Sequence, residues 1–240
     1  MAAPTGQAAP TSPARGRRVR SRASHSLESV LSGAVELLDE SGVQGLTIRA
    51  LAARLGGGNA SVYWYVSGRE ELLDLAADSV LGGVLDATAH VGAGDPIDDL
   101  RIIAVAMFDA IADRPWLGPY VLRQTATQTH SLRLYERVGE QVMRLGLAPR
   151  QTFHATSAVV GYVTGTAADM GQEPPEAVVS GTVSREEYLA AATAQWRALD
   201  PDQFPYIRLI IDEFAGHDDR DQFIDGLDLL LAGLRLRAGR

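Results

Sequence analysis

The chain contains no cysteine. Disulfides, thiolate metal ligands and cysteine nucleophiles are therefore excluded. It contains no lysine either: all 22 basic side chains are arginine. That removes Schiff-base chemistry and Walker-type phosphate loops, which depend on a lysine amine. Long apolar runs are also missing. The longest uncharged stretch, Gln151 to Ala168, is interrupted by Thr152, His154, Thr156, Ser157, Thr164 and Thr166. Such a composition suits a buried helix, not a lipid-facing span. Residues 1–23 lack the apolar core of a signal peptide. A cytoplasmic protein with no membrane partner is expected.

What is present is ordinary globular composition. The 240 residues are 46% apolar and 22% charged, enough for one or two domains with a real core. A net charge of −8 argues on average against a nucleic-acid binder. The average conceals a division. Residues 1–23 hold Arg15, Arg17, Arg18, Arg20 and Arg22 and no acid. Residues 24–80 hold three arginines and eight acids, and residues 81–240 fourteen arginines and twenty-two acids. A basic arm thus precedes an acidic remainder. Rich in Ala, Pro, Thr, Gly, Ser and Arg, the arm buries too little to offset its ordering entropy and is expected to be disordered.

From Ser24 onward the apolar period is helical. Leu27, Val30, Leu31, Ala34, Leu37 and Leu38 share a face, with Ser24 placed as N-cap and Gly42 as stop. Thr47 is placed to cap a second helix over 48–55, which Gly56-Gly57-Gly58 breaks. A third helix covers 59–66. Ser67 and Glu70 spell a capping box for a fourth, and Asp95-Pro96 opens a fifth. Further helices are expected over 132–145, 149–170, 184–196, 201–214 and 220–237, with a loop at 172–183 and a capping box at Ser184 and Glu187. No sustained two-residue alternation appears, so the fold class is all-α.

The stretch Leu46 to Val66 reads as helix, glycine turn, helix. A helix-turn-helix requires this: the first helix holds the second, and the second enters the major groove. Ala50, Leu51, Ala52 and Leu55 form one packing face, and Val62 and Val66 another. Asn59, Ala60, Ser61, Tyr63 and Trp64 are left to point elsewhere. A plain helical hairpin in an all-α core has the same outline. Tyr, Asn and Ser make poor core chemistry, however, and Arg49, Arg54 and Arg69 lie around the motif, with the arginine arm upstream in reach of phosphates.

Residues 24–80 resemble the DNA-binding region of the tetracycline-repressor (TetR) family. The matching pieces are Leu37-Leu38 with Gly42, Leu46-Thr47, Leu51-Ala52, Leu55-Gly56, Val62-Tyr63-Trp64-Tyr65-Val66 and Arg69-Glu70-Glu71-Leu72-Leu73, in order and at matching spacing. Beyond them only an all-helical body and Arg114-Pro115-Trp116-Leu117 are shared. After the disordered basic arm (1–23) read from composition, the resemblance implies a three-helix DNA-binding domain (24–80) and a larger helical ligand-binding and dimerisation domain (81–240). It implies phosphate contacts from Thr47, Ser61, Tyr63 and Arg69, the last standing where the family usually has lysine. Arg49, Asn59, Ala60 and Trp64 are then candidates for base edges, of types that suit guanine, adenine and the thymine methyl. Two departures stand out. Gly57 and Gly58 replace larger turn residues, and Trp64 has the size either to pack or to contact sugars.

For the body the resemblance implies a homodimer and a small-molecule effector. Ala158, Gly161 and Gly165 form a small-residue stripe at heptad-like steps. Phe223, Leu227, Leu230 and Leu234 repeat along the last helix, with Gly226 and Gly233 seven apart. Two such helices per subunit would build a four-helix bundle, though packing within one chain would use the same pattern. The large or amphipathic side chains on the central helices are Met107, Phe108, Trp116, Tyr120, Gln124, Tyr162, Thr166 and Trp196. They are pocket candidates, and equally plain core. The five histidines show no ligand-type spacing and no catalytic triad is evident. No metal, no cofactor and no enzyme activity are expected. The expected function is a ligand-responsive repressor of a double-stranded DNA operator. The alternatives are a helical small-molecule-binding protein and a regulator switched by a protein partner.

Overall fold

The computed structural model describes residues 25–123, 128–170 and 176–239. The expected disordered arm lies outside them. Among the described residues there is helix and no strand. A head is built from α1 (Leu27–Gly45), α2 (Ile48–Arg54), α3 (Asn59–Tyr63) and the start of α4 (Arg69–Ala87). A body follows: α5 (Pro96–Ala112), α6 (Gly118–Arg123), α7 (Thr129–Met143), α8 (Pro149–Met170), α9 (Glu176–Val179), α10 (Arg185–Arg197), α11 (Pro205–Gly216) and α12 (Asp219–Ala238).

Local chemistry explains most boundaries and several differences from expectation. Ser24 lies outside the described residues; α1 is capped by Ser26, whose hydroxyl accepts from the Ser29 N–H at 3.1 Å. Gly42 kinks α1 without ending it, at φ +62°, a left-handed conformation that only glycine adopts cheaply. Thr47 caps α2 through the Ala50 N–H at 3.0 Å. The recognition segment is shorter than expected, its helix ending at Tyr63. The capping box at Ser67 and Glu70 does not form. Glu71, one residue on, accepts the Ser67 N–H at 2.6 Å, and Gly68 occupies the cap position. Asp95-Pro96 and the Ser184–Glu187 box cap their helices as expected. Residues 176–179, expected in a loop, form α9, and α6 fills the segment after Pro115.

The head closes around Val30, Ala34, Leu38, Leu46, Leu51, Val62, Leu72 and Leu73, all almost fully buried. Burying such side chains stabilises by roughly 1.5–3 kcal/mol each. In the body α5 and α8 pack together, flanked by α7 and α12. Three exposed ion pairs run along α5 and α12: Arg235–Asp95 at 3.1 Å, Arg101–Asp228 at 2.7 Å and Arg220–Asp109 at 2.9 Å. Their order shows the two helices to be antiparallel. Each is worth at most ~1 kcal/mol, so they set register more than stability.

No domain gap occurs at residue 80: α4 runs unbroken from head to body. It trades caps with α7. Buried Asp78 of α4 accepts the first N–H groups of α7, from His130 at 3.2 Å and Ser131 at 2.8 Å. Arg137 of α7 donates to the Leu85 carbonyl and the Thr88 hydroxyl at the far end of α4. This external cap starts α7 at Thr129, three residues before the apolar period begins. A second joint links α1 to the turn before α6. The Trp116 indole N–H donates to Asp39 at 2.7 Å, and Arg114 Nε lies 3.3 Å from the other oxygen.

Candidate nucleic-acid interface

Helix α3 is held from behind and open in front. Val62 is fully buried and Val66 almost so, and α3 packs on α2. On the other side Asn59 and Ala60 are exposed, Tyr63 is 55% exposed and Trp64 84% exposed. Among the described residues Trp64 therefore does not pack into the core. A row of one amide, one methyl and two aromatic groups is presented to solvent on a five-residue helix, small enough to enter a DNA major groove.

The phosphate candidates divide. Thr47 is exposed, and its cap bond uses an oxygen lone pair, leaving the hydroxyl proton free to donate. Tyr63 has its hydroxyl in the open. Ser61 is different: its hydroxyl already donates to the Gly58 carbonyl at 2.6 Å. That bond engages its one proton in the chain alone. Arg69 is also largely engaged. It donates to the Leu46 carbonyl at 2.8 Å and the Val43 carbonyl at 2.5 Å, and pairs with Glu70 at 3.3 Å. It thereby closes the carboxyl end of α1, where a cation is favourable. Arg54 lies between Glu36, at 3.1 Å, and Glu40; the bond to Glu40 raises its pKa further and lowers that of Glu40. Arg49 is exposed, with no ion pair among the described residues.

The pocket candidates fall into separate groups. Phe108 stacks on Phe223 at 3.9 Å, and Tyr162 lies 5.5 Å from Phe223. Met107 and Phe108 are buried. Tyr162 donates to the Phe223 carbonyl at 3.0 Å, and burial, partly offset by a bond with Thr166, raises its pKa. Tyr120 is buried on α6, which packs on α8. The Trp116 indole N–H is bonded to Asp39. Trp196 belongs to another cluster, stacked on Phe214 at 4.6 Å. Gln124 lies outside the described residues.

The dimer candidates are half corrected. Ala158, Gly161 and Gly165 are exposed on α8, and a Cβ added at Gly161 or Gly165 would meet only open space. Phe223 and Leu227 are fully buried, and Leu234 is buried too; they face the chain's own α5 and α8. Leu230 is half-buried. Gly226 gives room to the Tyr162 hydroxyl, which a Cβ would overlap. The outward stripe of α12 is instead Leu229 (77% exposed) and Leu236 (70% exposed), with Gly233 between them. Phe153, 60% exposed, extends the α8 face. The α12 sequence carries two apolar stripes of the same helical period, an inner one through Phe223 and Leu227 and an outer one through Leu229 and Leu236. Asp39 and Asp78 had no signal in periodicity, since each acts across more than 50 residues.

Among the described residues no helix is long and apolar enough to cross a membrane. None of their His, Asp or Glu groups is arranged to hold a metal. Residues 30–76 match the model of bacterial regulatory proteins of the tetR family. Residues 89–238 match the tetracyclin repressor-like C-terminal domain. An HTH-type transcriptional regulator of Saccharopolyspora erythraea is 30% identical over 215 residues, covering 88% of this chain and 85% of that protein. A TetR regulator from Streptomyces coelicolor is 36% identical, with a TM-score of 0.74 over 88% of this chain and 98% of that structure. The S. coelicolor protein ActR in complex with actinorhodin has the same fold, with a TM-score of 0.74 at 22% identity over 90% of this chain and 99% of that one. The two family models together span nearly all of the described residues, head and body alike, and on that ground the chain belongs to the TetR family of bacterial transcriptional regulators.

Proposed function

We infer that this regulator is a repressor that grips a pseudo-palindromic operator as a homodimer and leaves it when a small molecule binds the body. One observation carries the DNA part of this reading. Helix α3 is anchored by buried Val62 and Val66 while Asn59, Ala60, Tyr63 and Trp64 stand free in one row. Arg49 and the Thr47 hydroxyl flank that row from the start of α2. Two copies must place α3 about 34–36 Å apart to meet successive major grooves.

The surface proposed to pair the copies is the exposed face of α8 and α12. Phe153, Ala158, Gly161 and Gly165 line one helix, Leu229, Gly233 and Leu236 the other. A groove of about 400 Å³ lies between them, lined by His154, Ala158, Leu229 and Gly233 among others. Small residues let helix backbones approach, and the leucines supply burial. The effector's proposed place is the α5–α6–α8 region, near Met107, Tyr120, Tyr162 and Thr166. That ActR, which shares this fold, has been solved in complex with actinorhodin supports a small-molecule role. A ligand preferring a differently spaced dimer would shift the population off DNA. A coupling of roughly 1–3 kcal/mol changes affinity about 5–150-fold. The joints at Asp39 and Asp78 offer the route from body to head.

The test is binding to a duplex enriched from a random pool. Tyr63→Phe removes a phosphate donor and should weaken all sites about equally. Asn59→Ala should relax preference at one base position per half-site, by roughly 1–3 kcal/mol. If both variants bind like the parent protein, α3 is not the reading helix.

A further inference from the structure

Arg137 of α7 engages only one of its nitrogens within the chain. Nη1 donates to the Leu85 carbonyl at 2.5 Å and to the Thr88 hydroxyl at 2.8 Å. These bonds fix the guanidinium at the carboxyl end of α4, where a cation is favourable. Among the described residues Nε and Nη2 have no acceptor, and Arg137 has no carboxylate partner. The open edge has a specific shape. In a guanidinium the Nε–H and one Nη2–H run parallel and match the two oxygens of a carboxylate. Two other arginines of this chain use that edge in this way. Arg101 holds Asp228 through Nε at 2.7 Å and Nη2 at 3.3 Å. Arg220 holds Asp109 through the same pair at 2.9 and 3.1 Å.

Arg137 lines a groove of about 550 Å³ between the second half of α7 and the turn from α4 to α5. That is room for a small organic ligand. The walls are held in place. Buried Asp99 accepts the Gly92 N–H at 3.0 Å and Arg144 Nη1 at 2.8 Å. Arg144 also donates to the Gln141 side-chain oxygen at 2.5 Å and to the Gly94 carbonyl. It stands about two helical turns from Arg137, on the same face of α7, but Asp99 balances its charge. Ala89, Val91 and Met143 supply the apolar lining. Glu140 is the remaining charge there, and it forms no ion pair among the described residues. The lining thus holds one cation and one carboxylate without partners. A single negative charge suits it; a second would be repelled by Glu140.

We propose that this groove is a binding site for an organic monocarboxylate. The carboxylate lies on the Nε–Nη2 edge of Arg137, and a small apolar body rests against Ala89, Val91 and Met143. None of these residues belongs to the α5–α6–α8 region proposed above for the effector, and the site stands whether or not that region takes a ligand. The occupant ties α7 to the α4–α5 turn through the residue that already holds the end of α4. Helix α4 runs unbroken into the head, so the site lies at the tail of the element that joins body to head. Inorganic phosphate lacks the apolar body and can carry a second charge, so it is the poorer ligand.

The probe is benzoate, with benzamide as its neutral analogue, titrated into the full chain by isothermal calorimetry at constant ionic strength. Benzoate should bind with a dissociation constant below about 1 mM, and benzamide at least about tenfold more weakly. R137Q removes the fork, and R137K keeps the charge without it; each should weaken benzoate by about tenfold or more. M143E changes a side chain that is 65% exposed and adds a carboxylate to the groove. It should weaken benzoate too, so the result does not depend on R137Q remaining folded. E140Q removes the like charge and should tighten benzoate roughly two- to fivefold. In hydrogen exchange, benzoate should slow the amides of residues 88–92 in the parent protein and not in M143E. The proposal would be overturned by no binding of benzoate up to about 10 mM, by equal affinity for benzamide, or by tighter binding of phosphate. Equal affinity of the parent, R137K and M143E for benzoate would overturn it as well, since the ligand would then sit elsewhere.

Discussion

Replacing Asp78 with alanine tests the joint between head and body. The carboxylate is 7% exposed and takes four donors from the start of α7. They are the N–H groups of His130 (3.2 Å) and Ser131 (2.8 Å), the Ser131 hydroxyl (3.0 Å) and the His130 ring Nδ1 (2.8 Å). Alanine orphans all four. A buried donor left without a partner costs about 1–3 kcal/mol. The His130 side chain is 41% exposed, so water can take over its ring nitrogen, and the hydroxyl of Ser131 can rotate. The two backbone donors then dominate, and a loss of about 2–4 kcal/mol is expected. At about 2–4 °C per kcal/mol for a chain of this size, the melting midpoint should fall by roughly 4–16 °C. Urea unfolding gives the free energy directly, and hydrogen exchange locates it: the amides of His130 and Ser131 should lose protection first. Asp78→Asn retains one acceptor oxygen but turns an NH₂ toward donors, so it should fall between the two. A loss below about 0.5 kcal/mol, with protection unchanged at the start of α7, would refute the claim that Asp78 caps that helix.

Other consequences follow from named contacts. Leu229→Glu or Gly161→Glu puts a charge on the outward face of α8 and α12 and should convert the dimer to monomer in light scattering. Phe223→Ala should instead cost about 3–5 kcal/mol of folding stability without acting first on assembly. The Asp95 carboxyl is held below its ordinary pKa, chiefly by the Ile97 N–H at the head of α5, with Arg235 adding to the effect. A depressed folded-state pKa means a contribution fully present above the unfolded value, about 3.9, and lost as pH falls through the folded one. Asn at position 95 keeps the cap oxygen but not the charge. The difference in melting midpoint between Asp95→Asn and the parent should be present at neutral pH and vanish on acidification; a difference that is constant with pH would contradict this cause.

How far the sequence disclosed this molecule depended on the range of each signal. Helix existence and most caps are written in local pattern: Thr47, Asp95 and Ser184 all cap as their positions suggest. The failures were of three kinds. Where two side chains compete for one N–H, as Glu70 and Glu71 do for Ser67, spacing alone does not choose. On α12 both apolar stripes have helical period, and contacts with distant helices, such as Phe223 on Phe108 and Gly226 on Tyr162, decide which one turns inward. Finally, contacts between distant segments leave no periodic trace. The bond from Trp116 to Asp39 spans 77 residues. The partners of Arg54 (Glu36, Glu40) and of Arg69 (the end of α1) likewise lie on other elements. Net charge misled for the same reason: it counts arginines and does not say which are free.

The most direct test of the central claim is selection of duplex DNA from a random pool by the full chain, read by sequencing. A regulator that presents α3 from two symmetric subunits should enrich an inverted repeat with half-site centres about 10 base pairs, or a multiple of one turn, apart. The same repeat should not emerge when α3 carries Tyr63→Ala with Trp64→Ala. No enriched sequence, or the same repeat from both proteins, would contradict the assignment of α3 as the reading helix.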